Sequence, residues 1–313
     1  MSGTFCRHNR PTDKCSICSR ELDEKLRNQA PIKYVTVKKP GTKATPSARA
    51  TSGSRSTSSR GASSSKAAGN SNRVVTRKLA RATDDGYRNP LVPGMKATAD
   101  AERLAGALTQ AVERLQPPGP HPVIAEIADL NDATWLAFLI ALAPELEETL
   151  TEVQPSWSSR SDLSVLPEAK QKAATAYLAW VDRAGTQQAA FEGESFWTPE
   201  RRFDRVFERL ALPGFGRGAR YELLVTLGAA GRYEVDAQSP QLVEDDTTTL
   251  AAKRLFVSGD RMLLEKRARE FMAAADLPIA ALDHGLKVWA TPGEHVDLTA
   301  DPLPGVASAL RIG

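Results

Sequence analysis

The sequence predicts a mainly α-helical body, which follows a small zinc-binding module and a disordered basic linker. Apolar residues recur at helical spacing through residues 84–313, and convincing strands are missing there. The chain's 3 cysteines all lie within residues 1–30, beside a histidine. Residues 31–83 are rich in Ser, Thr and Gly and carry many Lys and Arg side chains. These changes in composition set the bounds of the three predicted segments.

A metal site is predicted from Cys6, His8, Cys15 and Cys18, which are spaced as C-x-H-x6-C-x2-C. The C-x2-C pair brings two thiolates to one metal ion, and Cys6 with His8 can complete a tetrahedron. Zinc suits such a mixed sulfur and nitrogen site. The alternative, a disulfide with a spare thiol, fits a cytosolic chain poorly. Because four protein ligands close the coordination shell, the zinc is predicted to be a structural cofactor.

Purified protein is expected to contain one zinc ion per chain, and Cys15→Ser is expected to lose it because a ligand is removed. Metal analysis by mass spectrometry measures both contents. Ser16→Ala, which changes a neighbour that is not a ligand, is the matched control and should keep its zinc. Zinc-free protein of the natural sequence, or full zinc in Cys15→Ser, would contradict this site.

The linker is basic throughout. From residue 31 to residue 81 there are 12 basic side chains and no acidic one. Without them, the rest of the chain carries 29 basic and 38 acidic side chains, a net charge of −9. Such a segment buries too little apolar surface to fold, so a flexible tether is predicted. A wholly basic tether also holds DNA through salt-sensitive phosphate contacts, and we favour this over a plain solvated tether.

Composition and length are ordinary for a soluble globular protein. Hydrophobic residues make up 41% and charged residues 25% of the 313 residues, which allows a sizeable core in one large or two small domains. The longest apolar run, Trp135 to Ala143, is too short to cross a bilayer and is expected to form a buried helix. The polar N-terminus lacks the apolar stretch of a signal peptide, so a cytoplasmic location is predicted.

Several helices are predicted from apolar spacing and from residues that begin or end helices. Asn131 and Asp132 are the expected cap of the second helix, Pro144 is expected to break it, and Thr198-Pro199 is expected to start another. The predicted helices outside the region of residues 199–257 are 98–115, 133–142, 167–184, 262–275 and 278–289.

Two further helices are joined by a short link over residues 212–220, with the sequence LPGFGRGAR. Apolar residues recur at i, i+3, i+4 and i+7 from Phe203 to Leu210, and on one helical face from Ala219 to Leu227. Gly228 is the expected end of the second helix. Because the link is so short, the two helices must turn back on each other as a hairpin.

The hairpin link has the composition of a phosphate-binding loop. Gly214 and Gly216 allow φ > 0 and a close backbone approach, and the N-terminus of the following helix favours an anion. Arg217 and Arg220 are expected to reach the same phosphate or its neighbour. The predicted DNA-binding residues here are therefore Gly214, Phe215, Gly216, Arg217 and Arg220. The alternative is a tight turn between two core helices, with solvated arginines.

The link resembles the helix-hairpin-helix element of DNA glycosylases, with its hydrophobic-Pro-Gly-hydrophobic-Gly core. In that superfamily an aspartate at a helix start downstream of the hairpin, often followed by threonine, is the catalytic carboxylate. The resemblance implies this role for Asp246, which ends the acidic run Glu244-Asp245-Asp246 and precedes Thr247. Asp236 lies closer to the usual distance but lacks the threonine, and it is the alternative. A favourable contact with the helix dipole also explains these carboxylates without catalysis.

Two departures from that superfamily limit the chemistry. Bifunctional glycosylases carry a lysine nucleophile near the position of Gly218, so strand cleavage by a lysine is not expected here. The cysteines that hold an iron–sulfur cluster after the last helix in some members are also absent, since no cysteine follows Cys18.

A closer resemblance covers most of the chain outside the linker. The segments from Cys6 to Glu21, Leu212 to Gly228, Asp245 to Asp260 and Ala281 to Trp289 are similar to the bacterial α-glutamyl/putrescinyl-thymine pyrophosphorylase family. This resemblance implies a glycosylase-like enzyme that modifies thymine in DNA. An amine, glutamate or putrescine, would displace pyrophosphate from the thymine methyl carbon. A base kinase acting upstream is the implied partner.

The resemblance implies roles for individual residues as well. The base would be flipped into a pocket, Asp246 would take the amine's proton, and Lys253 and Arg254 would balance charge on the departing pyrophosphate. For this lysine and arginine, a solvated helix face is an equally good interpretation. Two other functions remain open: a monofunctional DNA glycosylase, and a DNA-binding protein without activity. The remaining histidines, His121, His284 and His295, are isolated in the sequence and are interpreted as structural or surface residues.

Overall fold

The computed structural model describes residues 82–313, so the predicted zinc module and residues 31–81 of the linker lie outside the described residues. The described part contains twelve α-helices and no β-strand, which confirms the mainly helical prediction. In chain order the helices are α1 (Thr98–Leu115), α2 (Pro122–Glu126), α3 (Leu130–Leu142), α4 (Glu147–Val153), α5 (Glu168–Ala184), α6 (Gln187–Glu192), α7 (Pro199–Arg209), α8 (Arg217–Ala229), α9 (Thr247–Phe256), α10 (Arg261–Ala274), α11 (Ala280–Ala290) and α12 (Pro304–Leu310). Two 3₁₀ turns lie at Pro144–Leu146 and Trp157–Ser159.

The apolar residues form two hydrophobic cores. The first core surrounds α3, whose residues from Ala133 to Leu142 are all buried, and it is closed by α2 and α4 to α8. Aromatic rings fill it: Phe138 stacks on Tyr177 with ring centroids 3.9 Å apart. The second core is built from α1 and α9 to α12. From residue 82 onward, the chain therefore passes through the second core, forms the first, and returns to the second.

The second core depends on a close approach of α1 and α11. A Cβ atom added at Gly285 would lie 2.7 Å from the side chain of Leu108, which is closer than carbon atoms pack. The Trp289 indole, one turn later, donates a hydrogen bond to the Asp100 carbonyl of α1 at 3.1 Å. A glycine at this point of α11 lets the two helix backbones meet.

Most predicted helices agree with the structure to within a few residues, but two predicted ends are wrong. The cap of α3 is Asp129, whose carboxylate accepts from the N–H groups of Asn131 and Asp132 at 2.8 and 2.9 Å. The two predicted cap residues therefore lie inside the helix. Gly228 does not end α8: a Cβ there would lie 2.6 Å from the Val235 carbonyl oxygen, so this glycine serves packing.

The breaks predicted from proline and threonine are confirmed. Pro144 ends α3 and starts a 3₁₀ turn. Thr198 caps α7 by accepting from the Arg201 N–H at 3.3 Å, with Pro199 as the first helical residue. Among residues 82–313, no helix is both long and apolar enough to span a membrane.

Candidate active site at the seam between the two cores

The link between α7 and α8 is a tight turn, as the sequence predicts. Gly214 has φ of 80°, a left-handed conformation that favours glycine. Gly216 differs from the prediction, since its φ of −71° is open to any residue. Phe215 packs in the first core, with its ring centroid 5.1 Å from that of Phe138, and is buried. Burial does not support a DNA contact by the Phe215 side chain, which anchors the turn in the first core.

The N-terminus of α8 already holds an anion from the protein itself. The Arg217 N–H donates to a carboxylate oxygen of Glu244 at 3.0 Å. Cβ atoms added at Gly216 and Gly218 would lie 3.8 Å from Glu244 Oε2 and 3.7 Å from Asp246 Oδ2. The small residues of the turn therefore face these two carboxylates. The predicted phosphate position at this helix start is occupied by Glu244.

Arg217 is the centre of a buried ion network. Its side chain is 0% exposed, its Nε donates to Asp246 Oδ2 at 2.5 Å, and its Nη2 donates to the Asp283 carboxylate. Its Nη1 donates to the Pro240 carbonyl at 2.7 Å. Burial alone would lower the pKa of this guanidinium, but the charges of Asp283 and Asp246 outweigh it and raise that pKa. The donors of Arg217 are used inside the protein, which does not support its predicted contact with a DNA phosphate.

Arg220, one turn further along α8, is also buried. It donates to Glu244 and, at 3.2 Å, to the Phe207 carbonyl. Its guanidinium lies 4.4 Å from the centroid of the Phe207 ring. Burial does not support the predicted phosphate contact of Arg220, and this side chain instead holds α7, α8 and Glu244 together.

Asp246 lies where the sequence places it, at the start of α9. One carboxylate oxygen accepts from the Thr249 N–H at 2.8 Å, which caps the helix, and the other binds Arg217. The side chain remains 27% exposed and lines a cavity. The alternative residue, Asp236, is exposed in the segment after α8, and its carboxylate accepts only from Gln238, at 3.3 Å. Asp236 does not line this cavity.

Lys253 and Arg254 are on the far part of α9 and do not line the cavity. Lys253 pairs with Asp245. Arg254 binds Asp100 at 3.3 Å and stacks on Trp289 at 4.7 Å. Their predicted role near a departing pyrophosphate is not supported by these positions. Lys253 lies in a surface ion pair, whereas the Arg254 side chain is only 16% exposed.

The cavity next to Asp246 has a volume of about 620 Å³ and lies at the seam between the two cores. Helices α3 and α8 of the first core and α1, α9 and α11 of the second contribute to its wall. The side chains that give it charge are Arg114, His121, Glu147, Lys170, Arg217, Glu222, Glu244, Asp246, Asp283, His284 and Lys287. Its volume suits a small organic ligand or an extruded base.

A second ion cluster crosses the seam inside this cavity. Arg114 of α1 forms a two-pronged pair with Glu222 of α8, with one N–O distance of 3.3 Å. His121 contacts Glu147 at 2.7 Å and Glu222 at 3.5 Å. Burial alone would raise the pKa of Glu222, but the hydrogen bond from His121 and the charge of Arg114 hold it well below its usual value. For His121 burial is likewise outweighed by its carboxylate partners, and its pKa is raised. The sequence suggested that His121 is isolated, and these two carboxylate partners correct that interpretation.

His284 of α11 also lines the cavity, which corrects the interpretation that it is merely structural. The preceding residue, Asp283, is the buried partner of Arg217. Burial, and then the charge of Arg114, lower the pKa of His284 to about 4. Sequence reasoning assigned no role to Arg114, Glu222, Asp283 or His284. For Asp283 and His284, the available signal was an adjacent aspartate and histidine in the stretch 281–290, whose only other charged residue is Lys287.

A larger cleft of about 830 Å³ lies away from these charges, near Glu192 and Tyr233. Its two arginines, Arg202 and Arg232, donate to backbone carbonyls at 2.5–3.3 Å and serve to fix loops. The cavity at the seam is therefore the better candidate for the active site. Within residues 82–313, no group of three or more His, Cys, Asp or Glu residues is arranged to hold a metal ion.

Residues 148–292 match the family model described as alpha-glutamyl/putrescinyl thymine pyrophosphorylase clade 3. The match confirms the family that the sequence motifs indicate. It includes Glu222, Asp246, Asp283 and His284, whereas Arg114 precedes it. Comparisons with curated proteins and with solved structures give no match.

Proposed function

We propose that this member of the alpha-glutamyl/putrescinyl thymine pyrophosphorylase family modifies a base in DNA. An amine, either glutamate or putrescine, displaces pyrophosphate from a pyrophosphorylated thymine methyl group. The family match supports the class of reaction, because the family is named for glutamyl and putrescinyl groups on thymine. A base kinase acting earlier supplies the pyrophosphate ester.

The position of Asp246 is the observation that carries the proposal. It is a carboxylate at a helix start, fixed on one side by a buried arginine and open on the other side to a cavity of about 620 Å³. A carboxylate held in this way needs no rearrangement before it meets a positively charged group. This arrangement suits an amine nucleophile, whose nitrogen gains positive charge as it attacks.

The reaction has a simple balance of bonds. The amine nitrogen forms a bond to the methyl carbon of thymine, and the bond from that carbon to pyrophosphate oxygen breaks. The electron pair of the broken bond leaves with pyrophosphate. Asp246 binds the amine and stabilises the positive charge on its nitrogen, while Arg217 keeps the carboxylate in one orientation. The target carbon is reached by turning the base out of the duplex into the cavity.

DNA contacts are assigned to the exposed backbone at Gly214 and to the basic residues 31–81. Gly214 is exposed at the turn between α7 and α8, which supports a helix-hairpin-helix role, whereas the helix start after Gly216 is occupied by Glu244. The linker residues would supply charge attraction without sequence specificity. The arginines of the turn take no part in this assignment, because both side chains are buried.

The test is nucleoside analysis by mass spectrometry after incubation with DNA that contains the pyrophosphorylated thymine. Glutamate and putrescine are supplied in separate reactions. The expected product is a thymidine that carries the amine, together with one pyrophosphate per modified base. A free base with an abasic site would instead identify a monofunctional glycosylase. Unchanged DNA in both reactions, with retained DNA binding, would identify a binding protein without activity.

A further inference from the structure

The imidazole of His284 is an unused polar group in the wall of the cavity. It forms no hydrogen bond or ion pair within residues 82–313, whereas Arg114, Glu222, Asp246 and Asp283 are all held by partners. A side chain whose polar atoms have no protein partner is free to bind a ligand there. His284 also follows Asp283 on α11, so it lies beside the network that orients Asp246.

We propose that His284 is the residue that accepts the proton released by the attacking amine. This inference rests on the proposed function and refines it, since it divides the work between two side chains. Asp246, with one oxygen on Arg217 and the other on the Thr249 N–H, binds the amine and stabilises its charge. His284 takes a proton from that nitrogen as the new carbon–nitrogen bond forms. The imidazolium then returns the proton to water.

The charges around His284 explain how it works as a base only when substrate is bound. Three charged groups act on it: Arg114 on α1, Glu222 on α8 and Lys287 on α11. With the cavity empty, burial and the two cations keep the imidazole neutral, so it is ready to accept a proton at neutral pH. A bound pyrophosphate group brings negative charge near Arg114 and Lys287. It therefore raises the proton affinity of His284 toward the ordinary value and makes the base stronger.

The central experiment measures turnover of His284→Ala and His284→Asn, which both remove the proton acceptor. A loss of roughly 10²- to 10⁴-fold in kcat is expected, with a much smaller change in KM for the amine. The fall of kcat at acid pH that His284 causes should disappear in both variants. His295→Ala is the matched control, because His295 is exposed and outside the cavity, and it should keep full activity. Full turnover of His284→Ala, or an unchanged acid limb, would overturn the proposal.

A second measurement does not depend on turnover. The imidazole of His284 is titrated by NMR in the full chain, with and without inorganic pyrophosphate. Pyrophosphate is expected to raise the pKa of His284, and an unchanged titration would count against a base beside the leaving group. The two proposals fail in different ways. If the unsubstituted protein forms no amine-modified nucleoside, the proposed function is wrong, and so is the proton-acceptor role of His284. If His284→Ala forms the modified product as well as the unsubstituted protein does, only the proposed role of His284 is wrong.

Discussion

Asp246→Asn is expected to lower turnover by roughly 10²- to 10³-fold while the protein stays folded and binds DNA. Asparagine is as good a helix cap as aspartate, so the start of α9 is preserved. The amide, however, cannot stabilise the positive charge of the amine or attract the guanidinium of Arg217. Steady-state kinetics with modified DNA and a urea unfolding curve measure the two effects separately.

Asp236→Asn is the matched control, because Asp236 is the other aspartate that the sequence suggested and it lies outside the cavity. It is expected to have normal turnover and stability. Full activity in Asp246→Asn together with a large loss in Asp236→Asn would transfer the catalytic role to Asp236. Equal and full activity in both variants would show that neither carboxylate takes part in the reaction.

Arg217→Met is expected to reduce the free energy of unfolding by about 3–5 kcal/mol, which is typical when one partner of a buried ion pair is removed. The substitution leaves the buried carboxylate of Asp283 without its main partner and the Pro240 carbonyl without a donor. Chemical denaturation followed by circular dichroism measures the loss. An effect on DNA affinity alone, as expected for a surface phosphate contact, would contradict the burial of this arginine.

Two further variants distinguish two causes of the stability loss, which are the unpaired buried charge and the lost packing of the arginine side chain. Adding Asp283→Asn to Arg217→Met removes the unpaired carboxylate, so the double variant should recover part of the lost stability. Arg205→Ala is the control for removing an arginine from a helix, because Arg205 is exposed and pairs only with Glu208, at 3.1 Å. Its expected cost is about 1 kcal/mol or less. A double variant that is less stable than Arg217→Met would show that Asp283 is stabilised by groups other than the arginine.

The sequence by itself determined the helical nature of the body and the positions of its main helices. Apolar spacing identifies a helix from the local chain alone, because the periodicity of the buried face repeats within a few residues. The start of α9 at Asp246 and Thr247 and the turn at Gly214 were likewise readable, since capping and left-handed turns depend on neighbouring residues. The family followed from motifs of the same local kind.

Only the tertiary structure decided what the charged residues do. A local pattern cannot show that Arg217 meets Asp283, which is 66 residues away, or that Arg114 meets Glu222, which is 108 residues away. Both pairs form because α8 of the first core lies against helices of the second. Burial then forces each charge to find a partner, since a lone charge away from water is costly. For that reason Arg217 and Arg220, which resemble phosphate ligands in the sequence, bind partners inside the protein. His284, which is isolated in the sequence, is a free polar group in the cavity.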